Sequence, residues 1–233
     1  TEVDTEAENA VKELLSKEYP QIPILGEESS GDPAAPRPDQ AGWLWIVDPL
    51  DGTRKYASDI PHFSTVVALA LDGEVVVGVN HDPVRDELFL AEQGKGAYLN
   101  GERIRISSRK DLESSVLGMD LSYVDQGAAQ SLDMVQKIWP GVQTVRIMGS
   151  AALGLSWAAA GRTDLFLHYQ LAPWDQAAGI LLVEEAGGVV VDRMGNRAGL
   201  SSEGILATNR DILRDFMQKT DGHPWHEPAR RLA

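Results

Sequence analysis

The chain has 233 residues, 43% of them hydrophobic, with 35 acidic against 21 basic side chains and a formal net charge of −14. That is ample apolar material for one large domain or two tightly joined halves, and the acidity, without clustered basic residues, argues against a nucleic acid polymer or an anionic membrane as partner. Cysteine is absent, which removes disulfides, thiolate chemistry and Cys-ligated zinc and fits a reducing, cytoplasmic setting.

The first residue is Thr1, and an acidic helix follows with neither a basic targeting segment nor an apolar signal core, so the native chain is expected to begin further upstream. Thr5 and Glu8 have capping-box spacing, and Ala7, Ala10, Val11, Leu14 and Leu15 form one apolar stripe that ends before Pro20. This places Asp4 just ahead of the helix, where a carboxylate caps it or faces a site. Residues 22–25 read as a short buried strand emptying into Gly26-Glu27-Glu28-Ser29. The segment 29–42, rich in Pro, Asp and Ala, reads as a mobile loop.

The stretch Trp45-Ile46-Val47-Asp48-Pro49-Leu50-Asp51-Gly52-Thr53 is the centre of the reading. An apolar strand delivers Asp48 and Asp51 onto a turn, and Gly52-Thr53 open a short helix. Carboxylates are hard oxygen ligands suited to Mg²⁺, which keeps other positions for water and substrate phosphate. Glycine allows close backbone approach, and free N–H groups at a helix start receive an anion. A solvated turn with a helix cap uses the same residue types, so partners elsewhere must decide. An EF-hand loop is disfavoured because Leu50 breaks the alternation of ligands, and an aspartyl-phosphate phosphatase motif has one residue fewer between its aspartates.

Strands are predicted at 64–71 and 75–80 across an Asp72-Gly73 turn, then at 87–91 and 97–99, with Asn100-Gly101 as another tight turn. The half spanning 1–113 is therefore strand-rich and antiparallel. From 114 to 219 the elements alternate: strands at 115–119, 142–147, 165–169, 189–192 and 205–208, and helices at 128–139, 150–160, 174–186 and 211–219. Asp175 falls in the first turn of one of these helices, and Gly149-Ser150-Ala151-Ala152 opens another, either as a close-packing contact or as a second place where backbone N–H groups meet a substrate. Residues 220–233, with Pro224, Pro228 and two arginines, read as an irregular tail. The longest apolar runs, such as 66–71, are too short to span a bilayer.

Gly26-Glu27-Glu28-Ser29, Asp48-Pro49-Leu50-Asp51-Gly52-Thr53 and Trp174-Asp175-Gln176-Ala177-Ala178-Gly179, in this order and spacing, resemble the inositol monophosphatase family of Mg²⁺-dependent, lithium-sensitive phosphatases. Pro61-His62-Phe63, Gly94-Lys95-Gly96-Ala97, Gly149-Ser150-Ala151-Ala152 and Glu185-Ala186-Gly187-Gly188 extend the resemblance over nearly the whole chain. It implies a mixed α+β, layered α-β-α-β-α sandwich similar to that of fructose-1,6-bisphosphatase, and a homodimer. It implies two to three Mg²⁺: Glu27, Asp48 and the carbonyl of Leu50 hold the first, Asp48, Asp51 and Asp175 the second, and a third sits near Glu27 through water. Thr53 and Glu28, with Asp4 nearby, position and deprotonate the attacking water, and the N–H groups of Gly52 and Thr53 hold the phosphate. The default substrate is inositol 1-phosphate. Fructose 1,6-bisphosphate, histidinol phosphate and 3′,5′-bisphosphonucleosides are alternatives on the same fold, and a non-catalytic metal-binding scaffold is the alternative of another class.

Two departures from the family pattern stand out. The family has a helical segment ahead of the position of Thr1. Where inositol-specific members carry a glutamate that binds inositol hydroxyls, this chain has His168, either a substrate contact with one donor and one acceptor or a rim residue on a strand end. His62, His81, His223 and His226 form no ligand spacing.

Overall fold

The structure is a computed structural model and describes residues 1–123 and 125–227. The first sheet has seven strands in chain order: β1 (Ile24–Gly26), β2 (Trp43–Asp51), β3 (Ser64–Leu71), β4 (Glu74–Asp82), β5 (Glu87–Glu92), β6 (Gly96–Leu99) and β7 (Glu102–Arg103). β1 runs parallel to β2, and every later pair is antiparallel. Along β3, Ser64, Val66, Ala68 and Ala70 are buried while the residues between them are half-buried, the alternation expected of a strand with one face on the core. At the β3–β4 turn Asp72 and Gly73 have φ of 51° and 82°. Two positive φ values are what a two-residue hairpin loop needs to match strand twist.

The second sheet is β8 (Val116–Asp120), β9 (Thr144–Ile147), β10 (Leu165–His168), β11 (Val189–Asp192) and β12 (Ile205–Thr208), in the order β11-β12-β10-β8-β9. β8, β9 and β10 are parallel, and β12 is antiparallel to both its neighbours. Both faces of this sheet are covered. Phe166, Ile205 and Ala207 enter one apolar core, whereas Leu165, Leu167 and Leu206 enter the other.

Among the described residues six α-helices fill the remaining layers: α1 (Glu2–Glu18), α2 (Thr53–Tyr56), α3 (Asp125–Ile138), α4 (Ala151–Ala159), α5 (Pro173–Glu185) and α6 (Arg210–Lys219). α4 and α5 are small and apolar nearly all round, as a helix enclosed on every side must be. They form the middle layer, with Leu155, Ala177, Ala178 and Leu182 in one core with Ile46, Val66 and Phe89 of the first sheet. The second core joins the outer face of the second sheet to Met134 and Ile138 of α3 and to Ile212 and Phe216 of α6. With α1 against β2, the architecture is the α-β-α-β-α sandwich expected.

Two local readings change. The first helix begins at Glu2, so Thr5 lies inside it and Asp4 sits in its first turn rather than ahead of it. An acid-rich first turn is as good a helix start as a capping box, because both complement the dipole. Residues 220–227 are ordered by a short 3-10 helix, Pro224–His226, whose Trp225 is fully buried against Phe216. Pro228 and the two arginines lie outside the described residues. No helix among the described residues is long and apolar enough to cross a membrane.

Candidate active site

Asp48 and Asp51 are three residues apart on β2, a spacing that in a regular strand points side chains to opposite faces. The β2–β3 register shifts between them. That irregularity, at Pro49-Leu50, re-aims the strand end so that both carboxylates reach one cavity. Leu50 N–H donates back to Asp48 Oδ1 at 3.0 Å, which fixes the turn.

Asp51 and Asp175 are each fixed by backbone donors. Asp51 accepts from the Ser150 hydroxyl, from Ala151 N–H at 3.2 Å and from Ala152 N–H at 3.0 Å, so it occupies the N-terminus of α4. Asp175, in the first turn of α5, accepts from Ala172 N–H at 2.8 Å. Glu27, just past β1, lines the same cavity as Asp48. Oxygens of Asp48, Asp51 and Asp175 all lie within 4.8 Å of one another.

Burial pushes all four groups toward their protonated forms; neighbouring carboxylates add to it at Asp48, Asp175 and Glu27, while at Asp51 the donors from Ser150 and the head of α4 oppose it. Asp48 is held well above the ordinary carboxylate range, Glu27 and Asp51 are raised, and Asp175 is pushed up to about 8. Crowded, desolvated carboxylates of this kind are a poor arrangement without a cation and a good one with it. An all-oxygen donor set that includes the Leu50 carbonyl fits Mg²⁺.

Beside the carboxylates, Thr53 opens α2 with its hydroxyl 2.9 Å from Asp4 Oδ1 and 3.0 Å from the Leu50 carbonyl. Asp4 is buried. The N–H groups of Gly52 and Thr53 donate to no protein acceptor among the described residues. Gly52 has φ of 95°, and a Cβ there would lie 3.0 Å from the His62 carbonyl, so glycine is required on both counts.

The cavity, about 230 Å³, gathers Glu27, Asp48, Leu50, Asp51, Gly52, Thr53, Ser150, Ala151 and Asp175. Ser150 and Ala151, read from sequence as substrate contacts or packing, line it while directing their donors at Asp51. Glu28 is exposed and outside the lining, with its N–H on Glu8 Oε2 at 2.8 Å. His168 is also outside it, buried on β10 and pushed down to about 4 by desolvation, with its Nδ1 accepting from Gln170 N–H.

Four polar lining residues escaped the sequence reading: Arg54, Lys55, Asp120 and Tyr123. The Arg54 guanidinium stacks on Tyr123, 4.0 Å from the ring centroid, and puts positive charge at the mouth. Asp120 ends β8, repeating the pattern of a strand followed by an acid already seen at Glu27 and Asp48, and that repetition was the available signal.

The fold and this cavity together define a layered sandwich protein with a buried carboxylate cluster that could hold a metal ion. The chain belongs to the inositol monophosphatase family: the model of that family matches residues 1–223. The family is Mg²⁺-dependent, and its members are generally phosphatases. A Pseudomonas aeruginosa relative named Nus factor SuhB is 38% identical over 226 residues, 96% of this chain and 83% of its own length. A Thermotoga maritima relative named fructose-1,6-bisphosphatase/inositol-1-monophosphatase is 38% identical over 219 residues, 94% of this chain and 80% of its own. The crystal structure of the extragenic suppressor protein SuhB from Bartonella henselae superposes with a TM-score of 0.85 at 37% identity, covering 94% of this chain and 83% of that one.

Proposed function

We propose that this chain hydrolyses the phosphomonoester of a small metabolite with Mg²⁺, by direct attack of water, and that inositol 1-phosphate is among its substrates. The observation that carries the reading is the convergence of Asp48, Asp51 and Asp175 within 4.8 Å, beside a threonine hydroxyl held by a buried aspartate. Glu27, Asp48, Asp51, Asp175 and the Leu50 carbonyl would hold two to three Mg²⁺. When bound, these ions neutralise phosphoryl oxygens and make an adjacent water more acidic.

The protein's own part is positioning and proton movement. The free N–H groups of Gly52 and Thr53 donate to a phosphoryl oxygen. The Thr53 hydroxyl donates to Asp4 and offers a lone pair to the attacking water, aligning it with phosphorus. The proton the water loses passes by way of the Thr53 hydroxyl to Asp4, and Glu28, exposed and outside the lining, would take it on toward solvent. The water oxygen bonds to phosphorus, the ester P–O bond breaks, and the leaving alkoxide takes a proton from solvent. No covalent phospho-enzyme forms.

The relatives' names support two classes of role, since one is called a Nus factor and another a phosphatase of two substrates. Catalysis is the better reading of this chain, because a scaffold has no use for the Thr53–Asp4 pair. The test is phosphate release, with and without Mg²⁺, from inositol 1-phosphate, fructose 1,6-bisphosphate, histidinol phosphate and adenosine 3′,5′-bisphosphate. Mg²⁺-dependent release from at least one supports the reading; release from none, with the protein folded and binding Mg²⁺, favours the scaffold.

A further inference from the structure

Asp120 is the one carboxyl of the cavity that belongs to neither the cation cluster nor the Thr53 hydroxyl. It stands at the C-terminal end of β8, directly across the parallel ladder from His168 of β10, and it is 5% exposed. One carboxyl oxygen, Oδ1, accepts from Gly149 N–H. The other, Oδ2, has no hydrogen-bond partner among the described residues. A buried carboxyl oxygen without a partner is costly, and in native proteins such a group is usually spoken for by something the protein binds.

The placement says what that is. Asp120 lines the same cavity as Asp48, Asp51 and Asp175, on the wall contributed by the second sheet with Leu121 and Ile147. With the phosphoryl group on the carboxylate wall of the first sheet and α5, the organic part of a substrate extends toward this second wall. Beside the apolar Leu121 and Ile147 stand Asp120, Tyr123 with Arg54 stacked on it, and Lys55, whose Cε lies over Gly149. A carboxylate is an acceptor with no donor of its own, so it selects for O–H groups.

We propose that Asp120 is a specificity-determining residue, its free oxygen accepting a hydrogen bond from a hydroxyl of the leaving group. The inference rests on the phosphomonoesterase reading above and goes beyond it by assigning the recognition of the leaving group to β8.

The bland account of Asp120 is that it only braces Gly149, and Asp120→Asn separates the two. Asparagine can keep its carbonyl oxygen on Gly149 N–H while replacing the free acceptor by an NH₂ donor. The experiment measures kcat/KM of the full chain with Mg²⁺ on inositol 1-phosphate, fructose 1-phosphate, glycerol 1-phosphate and phenyl phosphate, the last having no hydroxyl to offer. The expected result is that the ratio of the best polyol phosphate to phenyl phosphate falls about tenfold or more in Asp120→Asn, the loss of a charge-assisted hydrogen bond, and falls as far in Asp120→Ala. An unchanged ratio in Asp120→Asn, or equal loss on both kinds of substrate, overturns the assignment and leaves Asp120 as a brace. A wild-type chain that prefers phenyl phosphate to every polyol phosphate overturns it as well. Absence of Mg²⁺-dependent release even from phenyl phosphate is a different failure: it removes the phosphomonoesterase reading and this inference with it.

Discussion

The Thr53 hydroxyl lies 2.9 Å from Asp4 Oδ1, a bond between residues 49 positions apart that ties the first helix to the turn after β2. α1 is therefore part of the site rather than an outer layer alone. Thr53→Ala removes the hydroxyl that aligns the water but no cation ligand. We expect kcat to fall about a hundredfold or more, the range of a lost proton-transfer partner, with KM little changed. Asp4→Asn should fall in the same direction, and the double variant should lose no more than the worse single one, because the two act as a unit. Fully additive losses would show that the pair does not work together.

Asp175→Asn trades function for stability. The side chain is pushed up to about 8 by desolvation and by Asp51, so at neutral pH its ionisation opposes folding of the cation-free chain. Asparagine keeps an acceptor for Ala172 N–H and carries no charge. The cation-free variant should melt higher than the wild type at pH 8 and gain less from added Mg²⁺. A variant that melts lower, with Mg²⁺ stabilisation intact, would remove Asp175 from the cation site.

The pH dependence has a definite sign. Asp175 and Asp120 rise from an ordinary 3.8 to about 8 and about 7, and Asp48 lies well above 3.8. A carboxyl with a raised folded pKa favours folding below its unfolded value and loses that contribution as pH climbs through its folded value. Without divalent cations, Tm should therefore decline from pH 5 to pH 8 through these groups. Mg²⁺ displaces the protons, so the Mg²⁺-induced rise in Tm should be larger at pH 8 than at pH 6, and binding at pH 6 should release protons measurable by calorimetry in buffers of different ionisation enthalpy. A rise in Tm that is the same at both pH values would contradict the crowding of these carboxylates.

Gly52→Ala tests the turn itself. With φ of 95° and a Cβ 3.0 Å from the His62 carbonyl, alanine is strained by about 1–3 kcal/mol, and the turn carrying the Gly52 and Thr53 N–H groups must shift. Activity should drop more steeply than thermal stability. Wild-type turnover in this variant would show that the turn does not seat the phosphate.

Most strands were legible because their signals are local. β3 follows from an apolar run ending at the Asp72-Gly73 turn, and β2 from an apolar run that stops at an acid. The carboxylates of the site were legible for the same reason. Relations between distant residues were not: Asp51 at the head of α4, about a hundred positions away, and Thr53 on Asp4 leave no periodicity in the sequence. Asp120 was passed over because the strand before it was read as stopping at Met119, which put the acid in a loop. Residues 224–226 carry two signals of irregular chain, a proline and brevity, and are ordered by the burial of a single tryptophan against α6.

The most direct test of the central claim is phosphate release by Asp51→Asn beside the wild type, at saturating Mg²⁺ and on the best substrate of the wild type, with circular dichroism confirming the fold. Asp51 is buried at the head of α4 and shares the cluster with Asp48 and Asp175. Asparagine keeps one acceptor oxygen, able to serve Ala152 N–H and the Ser150 hydroxyl, while losing the negative charge and the acceptor for Ala151 N–H. The account expects a folded protein without measurable turnover. Near-normal phosphate release from that folded variant would contradict the assignment of the carboxylate cluster as the catalytic cation centre.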